Sequence, residues 1–484
     1  MTETITQKTF KGTIWSAIEN FSLQGIQFIV MLVMARILTP SDYGIIGMVS
    51  IFIAVSNSFV NSGFSQALIR KKERTNVDNC TVFYFNVIIS FCLYIILFFC
   101  APFIARFYNE PILVPVTRVV GLSLIINGLS IVQSAVFSIK IDFKTVAKAS
   151  LISAGFSGFV GILLAYLGFG VWSLVYQQIL GALIQTFLFW HFSSWRPSLI
   201  YSWSSFKDMF SFGSRLLISG LIDTIYTNIY QLFIGKIYKA SDLGYFTRAS
   251  NFGGFASASI TGIVHRVVFP VLCSIQEDNE KLCDGYRRLL KVLSFIVFPL
   301  MTGLAAVSKP LIITLLTEKW LFSSVLLIPI CFAMMWYPIH AINVNLLQVK
   351  GRSDLFLKLE IIKKIIGIVI LVVTLPISLN CMCWGLVLSS LCALFINTHY
   401  TGKLINLGFI KQMKDLAPSF ILSIFMGTIV WVSLQLLKFS PQILLACGTL
   451  IGIIFYIGSA KLFKFQELEE IFNLFYRRTK PNHE

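Results

Sequence analysis

Residues 36–44 read RILTPSDYG, and residues 236–244 read KIYKASDLG. Each stretch begins with a basic residue and ends in Ser-Asp-x-Gly, and the two are offset by 200 residues. A shorter match precedes them, with TFK at 9–11 and SFK at 205–207. Helix capping by Ser or Asp explains either copy alone. Two copies in the same register predict an internal duplication.

The composition between and around these copies is that of a membrane protein. Of 484 residues, 56% are hydrophobic and 13% are charged, against about 25% charged in soluble domains. The mean hydropathy is +0.80. These values exclude a soluble enzyme, a disordered chain and a coiled coil. They predict an all-α polytopic membrane protein, because helices satisfy their own backbone groups in lipid.

Apolar segments of the length needed for a membrane helix, about 20 residues, recur along the whole chain. We predict about 14 transmembrane helices, at roughly 13–35, 43–65, 81–104, 113–138, 147–168, 170–192, 209–235, 243–272, 289–316, 322–347, 356–378, 380–400, 417–437 and 441–463. The connections are short, with no room for a soluble domain.

The basic residues support this map. With the N-terminus in the cytoplasm, 28 of the 39 Lys and Arg residues fall on the cytoplasmic side, 7 on the other side and four within spans. Cytoplasmic loops of membrane proteins are rich in these residues. The formal net charge of +17 therefore indicates membrane topology and no nucleic-acid partner. Both termini are predicted to be cytoplasmic.

Six predicted spans separate the two copies of the motif, so the two halves have the same orientation. We therefore predict an N-terminal lobe of six helices at 1–200 and a C-terminal lobe of six helices at 201–404. Residues 405–484 add two further helices and a cytoplasmic tail. Arg36, Asp42, Lys236 and Asp242 mark the repeated motif at the predicted periplasmic ends.

Charged residues inside the spans are the candidate functional residues, because each costs about 2.5–3.5 kcal/mol at the bilayer centre. They are Glu19, Arg118, Arg215, Asp223, Arg248, His265 and Arg266, with His340 as a weaker member. Guanidinium groups bind phosphates through two hydrogen bonds, so a cavity holding Arg215, Arg248 and Arg266 suits a diphosphate. The alternatives are ion pairs of the arginines with Glu19 or Asp223, and snorkelling of Arg118, Arg248 and Arg266 to the interface.

Four stretches resemble the polysaccharide and O-antigen flippases of the multidrug/oligosaccharidyl-lipid/polysaccharide exporter superfamily. They are VMARILTPSDYGIIGM at 33–48, AYLGFGVWSLVYQQIL at 165–180, IYQLFIGKIYKASDLGYFTRASNFG at 229–253 and VFPVLCSIQEDNEKLCDGYRR at 268–288. The resemblance implies two pseudo-symmetric six-helix lobes around a central cavity, with two C-terminal helices outside them.

It also implies a function. The substrate would be an oligosaccharide linked to polyprenyl pyrophosphate, an intermediate of O-antigen, capsule or exopolysaccharide. Alternating access would move it from the cytoplasmic to the outer leaflet of a bacterial inner membrane. Polysaccharide polymerase and chain-length proteins are further candidate partners.

Two other function classes remain. A cation-coupled multidrug antiporter of the same superfamily predicts an acidic cavity, whereas the charges in the spans are mostly basic. A membrane-embedded glycan-processing enzyme predicts catalytic acids on a long outer loop. The sequence lacks a P-loop and other catalytic motifs, and its ten cysteines lack the spacing of a zinc site. We predict a protein that is not an enzyme and holds no cofactor or metal.

The charge distribution makes the topology testable. Cysteines introduced at Lys72, Lys207, Lys281 and Lys411 should all be labelled from the cytoplasm, because all four lie in predicted inside loops. Outside labelling at any two of these positions would overturn the map.

Overall fold

A computed structural model describes residues 5–61, 63–71, 73–263 and 268–471, and the regular structure of these residues is helical throughout. The helices of the first half are α1 Ile5–Ile37, α2 Pro40–Val60, α3 Phe64–Arg70, α4 Asn76–Tyr108, α5 Leu113–Gly128, α6 Ile131–Ile139, α7 Phe143–Tyr166, α8 Val171–Phe192 and α9 Trp203–Ile237. Those of the second half are α10 Ala240–Ile263, α11 Phe269–Ser274, α12 Asn279–Ala306, α13 Ser308–Leu315, α14 Leu321–Met334, α15 Tyr337–Val349, α16 Ser353–Thr374, α17 Leu379–Ile405, α18 Phe409–Leu436 and α19 Pro441–Leu462.

Ten helical stretches in the described residues are long and apolar enough to cross a membrane. Each of the fourteen predicted segments falls on one helix or on two consecutive helices. α1, α9, α10 and α16 are not among the ten, and α1 contributes only a shorter apolar stretch, Phe21–Ile37. α9 carries Arg215 and Asp223, and α16 carries four charged residues between Lys358 and Lys364. The chain is thus a multi-pass helical membrane protein, and the total of fourteen crossings stays a prediction.

Several segments that read as continuous in the sequence are broken in the structure. The segment 113–138 divides into α5 and α6 after Gly128, and the segment 322–347 divides into α14 and α15 just before Pro338. Pro338 is in the first turn of α15, where a missing N–H is tolerated. Hydropathy alone does not detect such breaks, because both halves remain apolar.

The described helices group into two compact units, Met1–Gly244 and Tyr245–Glu484. In the first unit, α1 packs on α7, α4 on α5 and α7 on α8. In the second, α12 packs on α18, α14 on α17, and α16 on α17. The lobes predicted at 1–200 and 201–404 stay a prediction.

The last two helices belong to the second unit and pack against α12. Phe295 of α12 lies in a buried cluster with Leu422 and Met426 of α18 and with Tyr456 of α19. The Tyr456 hydroxyl donates to the carbonyl oxygen of Phe295 at 2.9 Å. Burial of large apolar side chains, each contributing about 1.5–3 kcal/mol, holds this pair of helices in place.

An ion pair fixes the same helices nearer their ends. Arg287 of α12 donates from Nε and Nη2 to the two carboxylate oxygens of Asp415 on α18, at 2.7 and 2.8 Å. Lys291 Nζ lies 3.7 Å from Asp415. Because the Asp415 side chain is only 6% exposed, its charge depends on these partners.

We expect Arg287→Ala to lower the melting temperature of the purified protein. The change leaves a nearly buried carboxylate without its two-point partner. Because the Arg287 side chain is 44% exposed, the loss should be smaller than the ~3–5 kcal/mol of a fully buried pair.

Arg352→Ala is the matched control. Arg352 also donates two hydrogen bonds to a carboxylate, that of Asp354 at 2.9 and 2.8 Å, but both side chains are exposed. Water replaces that pair, so the melting temperature should stay unchanged. Equal shifts in the melting temperatures of the two variants would show that the burial of Asp415 does not determine the cost of losing its partner.

Candidate functional site

α9 carries a row of polar residues on its exposed surface. Ser211, Arg215, Ser219, Asp223 and Thr227 follow one another at intervals of four, and all five are exposed. Residues four apart are neighbours on a helix surface, so the five form one oblique row. We call this set the polar row.

The surroundings of the polar row make it unusual for a membrane helix. Ile218, Ile222 and Ile225 are exposed beside it, at 59%, 56% and 47%. Apolar side chains tolerate lipid, but an arginine and an aspartate facing lipid would be costly. The polar row therefore has the composition of a surface that lines a hydrated space.

A neighbouring face of α9 is packed within the first unit. Ser58 and Thr224 share a hydrogen bond of 2.8 Å between their hydroxyls. Ser50 Oγ donates to Gln231 Oε1 at 3.1 Å. These bonds fix α9 against α2.

Arg215 forms no salt bridge with a carboxylate in the described part of the chain. Glu19, its expected partner, instead accepts a hydrogen bond from Ser150 Oγ of α7 at 3.0 Å. Among the described residues, Glu19 thus forms no pair with Arg215, and its predicted place in the cavity stays a prediction. Asp223 is exposed two turns along the row.

The other predicted residues lie elsewhere. Arg248 is on α10 in the second unit and is 7% exposed. Arg118 lies over the ring of Phe98 at 4.2 Å, which agrees with a packing role. Arg266 and His265 fall outside the described residues.

The repeated motif occupies equivalent positions in its two copies. Arg36 is in the last turn of α1 and Lys236 in the last turn of α9. Basic residues there interact favourably with the helix dipole. Lys236 Nζ also donates to the carbonyl oxygen of Phe107 and lies 4.7 Å from the centre of its ring.

The aspartates of the motif cap the following helices. Asp42 Oδ2 accepts from the Thr39 N–H at 2.9 Å and from its hydroxyl at 2.7 Å, in a capping box at the start of α2. Asp242 Oδ2 accepts from the Lys239 N–H at 3.2 Å at the start of α10. The capping interpretation of the motif therefore describes its local role.

The two copies also contact one another through their glycines, which the sequence comparison did not foresee. A Cβ atom on Gly44 would overlap the carbonyl oxygen of Ala240, and one on Gly244 would overlap that of Pro40. The contact is reciprocal, because 40 and 240 are equivalent positions in the repeat, as are 44 and 244. A two-fold related contact of this kind is what a duplicated element predicts.

A small cavity of about 180 Å³ lies beside α2 in the first unit. Its polar lining comes from Ser50, Asn57 and Gln178, and the rest is aliphatic. Sequence analysis missed these uncharged groups. Asn57 and Gln178 are amide side chains within apolar segments, and this feature of the sequence could have indicated the polar lining.

Fold and site together define the class. Solved structures with the same fold include the lipid II flippase MurJ in an inward closed conformation, at a TM-score of 0.75 and 15% identity, covering 93% of this chain and 99% of that one. A multidrug resistance MATE family transporter of the MOP superfamily, inward-facing, matches at a TM-score of 0.55 and 16% identity over 78% of this chain and 95% of that one. The chain is a multi-pass helical membrane protein that shares its fold with these two transporters.

The sequence comparisons identify the family of this chain. Residues 33–325 match the family described as polysaccharide biosynthesis protein, and the chain belongs to that family. Among its relatives, the teichuronic acid biosynthesis protein TuaB of Bacillus subtilis (strain 168) is 25% identical, covering 90% of this chain and 92% of its own. The lipopolysaccharide biosynthesis protein WzxC of Escherichia coli (strain K12) is 26% identical over 76% and 75% of the two chains.

We expect Gly44→Ala and Gly244→Ala each to destabilise the protein by about 1–3 kcal/mol or more, because an added methyl group meets backbone rather than a movable side chain. Thermal unfolding of the purified protein measures the effect.

Gly25→Ala and Gly155→Ala are the controls, since nothing lies within 4 Å of a Cβ atom added at either position. Both are helical, so alanine should be neutral or stabilising by up to ~1 kcal/mol. Normal stability of both motif variants would contradict the close contact.

Proposed function

We propose that this protein moves an oligosaccharide linked to polyprenyl pyrophosphate across a bacterial inner membrane, from the cytoplasmic to the outer leaflet. The observation that carries the proposal is the polar row, with Arg215 exposed on a membrane helix and not neutralised by a described carboxylate. A guanidinium group in this setting is suited to a phosphate ligand, which it binds through two parallel hydrogen bonds.

The names of the relatives support a glycan substrate. Besides the two proteins already described, the succinoglycan biosynthesis transport protein ExoT of Rhizobium meliloti (strain 1021) is 23% identical over 67% of this chain and 66% of its own. Lipopolysaccharide, teichuronic acid and succinoglycan differ in their sugars. On our proposal, the group common to such substrates is the carrier pyrophosphate, and Arg215 is the side chain that would bind it.

We further propose that transport proceeds by alternating access between lobes at 1–200 and 201–404, with both termini in the cytoplasm. The reciprocal glycine contact supports this arrangement, because it joins the equivalent ends of two repeated elements. On the proposed topology, it closes the outer side of the path. Opening that side would then require Gly44 and Gly244 to separate from their carbonyl partners.

We expect Arg215→Ala to abolish surface polysaccharide in a strain whose own copy of the gene is deleted, at normal levels of the protein. Arg215→Lys should leave partial activity, because lysine keeps the charge but lacks the planar pair of donors. Cell-surface polysaccharide and protein abundance are measured together.

Asp208→Ala provides a control on the same helix, since Asp208 is also charged and exposed but falls outside the intervals of four that define the polar row. It should transport normally. The binding role of Arg215 is wrong if Arg215→Ala lowers abundance and a second change, Asp223→Ala or Glu19→Ala, restores both abundance and transport.

A further inference from the structure

The cavity beside α2 lies between three helices of the first unit, and none of the described residues that line it is charged. Its wall consists of one face of α2 together with Val120 of α5 and Gln178 of α8. Ser50, Asn57 and Gln178 supply the polar groups, and the other lining side chains are aliphatic. An ion in this cavity would lack a countercharge, so the lining suits a neutral ligand.

The two amide side chains of the cavity differ from other amides of the first unit in their hydrogen bonding. Asn57 is half-buried and Gln178 is exposed, and neither amide group bonds to another described residue. By contrast, Asn228 donates to the carbonyl oxygen of Thr224 at 2.8 Å, and Gln231 accepts from a serine. Each amide offers a carbonyl acceptor and two N–H donors, so the cavity presents hydrogen-bonding groups of both kinds to an occupant.

The volume of the cavity limits its occupant to about one ring. A cavity of about 150 Å³ holds a single benzene ring, and this one has a volume of about 180 Å³. A pyranose, the ring form of a sugar residue, carries hydroxyl groups on its rim and apolar C–H groups on its faces. The hydroxyl groups would bond to the amides, and the C–H groups would pack against Ile46, Val49 and Ile53 of α2. The cavity thus has the size and the lining for one sugar residue.

The cavity adjoins the end of the polar row that is farthest from Arg215. Gln231 follows Thr227 by four residues, so it continues the spacing of the row. Gln231 Oε1 accepts from Ser50 Oγ at 3.1 Å, and Ser50 lines the cavity. A ligand that extends along the polar row from Arg215 therefore reaches the cavity.

The cavity is separated from Arg215 by several turns of α9. Ser50 is level with Gln231, and Ser58 is level with Thr224. At about 1.5 Å per residue, these two levels lie roughly 24 Å and 14 Å from Arg215 along the helix axis. Both distances exceed the length of one sugar residue. A pyrophosphate at Arg215 would therefore place a more distant sugar of the glycan at the cavity.

We propose that this cavity binds one sugar residue of the transported glycan, beyond the sugar attached to the pyrophosphate, and that Asn57 and Gln178 select it. The proposal rests on the transport function proposed above and adds a second contact to it. Arg215 binds the carrier pyrophosphate, and the cavity binds part of the glycan. A glycan that is too short to reach the cavity makes only the first contact, so complete glycans are preferred over truncated ones.

Sugar binding is tested without the carrier lipid. Mild acid releases the oligosaccharide from the lipid-linked intermediate, and this free oligosaccharide is the probe. Saturation-transfer NMR with the purified wild-type protein should show transfer to the protons of one sugar residue. Arg215→Ala should give the same signal, because the probe lacks the pyrophosphate. Asn57→Leu and Gln178→Leu should each lower the signal at least fivefold, because each removes hydrogen-bonding groups from the cavity.

Gln177→Leu is the matched control. Gln177 is the neighbour of Gln178 on α8, but it packs against α7, where a Cβ atom on Gly161 would lie 3.0 Å from the Cβ atom of Gln177. The control removes an amide from the same helix and leaves the cavity lining unchanged, so it should bind as wild type. Because Gln178 is exposed, its variant should fold and decides the result if Asn57→Leu is unstable.

Three results of this measurement would overturn the proposal. They are no transfer to the probe in the wild-type protein, an undiminished signal in Gln178→Leu, and an equal loss in Gln177→Leu. The melting temperature of each variant is measured alongside, so that loss of binding is separated from loss of the fold.

The selecting role is tested in the deletion strain with two glycans, the complete one and one that lacks its distal sugars because a glycosyltransferase is removed. Lipid-linked glycan in the outer leaflet is labelled on spheroplasts with a reagent that does not cross the membrane. Wild-type protein should export the complete glycan at least fivefold faster than the truncated one. Gln178→Leu should export both at the same, lower rate. A purely structural effect would lower both rates equally and leave their ratio unchanged.

The outcomes separate the two proposals. A deletion strain with normal amounts of outer-leaflet glycan contradicts the transport function and leaves the NMR result standing. A wild-type protein that exports both glycans equally, or a ratio that is unchanged in Gln178→Leu, contradicts the selecting role of the cavity alone.

Discussion

The constraint on which this structure depends is that backbone groups inside a membrane must find partners within the protein. Continuous helices meet it automatically, but this chain breaks several of its apolar segments. At the break between α5 and α6, Thr186 and Trp190 of α8 donate to the carbonyl oxygens of Ile126 and Leu129 at 3.0 and 2.9 Å. Side chains of neighbouring helices thus satisfy the carbonyl groups that a broken helix exposes.

These hydrogen bonds pair the exposed carbonyl groups and also fix the positions of the neighbouring helices. A donor on one helix and an orphan carbonyl group on another are joined at a fixed depth and rotation. α8 is tied to the α5–α6 break in this way, as α10 and α17 are tied to the α14–α15 break. Directional contacts therefore join three helical segments at the first break and four at the second.

Charged side chains near the apolar segments also need polar partners, and two of them differ in whether the described residues supply a carboxylate. Asp415 is nearly buried and receives two hydrogen bonds from Arg287, so its charge serves the packing of α18 on α12. Arg215 remains exposed on α9 without such a carboxylate. The sequence shows both as charges near apolar segments, and only the geometry separates the structural pair from the candidate ligand group.

Sequence patterns predicted the helical class, the fourteen apolar segments and the repeated motif, because these features are set by composition and by periodicity along the chain. The partner of Glu19, the breaks before Ile131 and Tyr337, and the glycine contact were not predicted. Each of them depends on which residues of distant segments become neighbours. Gly44 and Gly244 were visible as the ends of the motif, but the sequence gives no distance between them.

Close glycine contacts join α2 to the start of α10, and the residue after α2 to α9. A Cβ atom on Gly63 would lie 2.8 Å from the carbonyl oxygen of Gly213 of α9, and the motif glycines meet backbone where α2 contacts the start of α10. Backbone contacts of this kind have no side chains that adjust, so they are either made or lost as a whole. Under the alternating access proposed above, in which α9 belongs to the lobe at 201–404, these contacts of α2 would be made or lost together. The close fit therefore favours two discrete arrangements of these contacts over a continuous deformation.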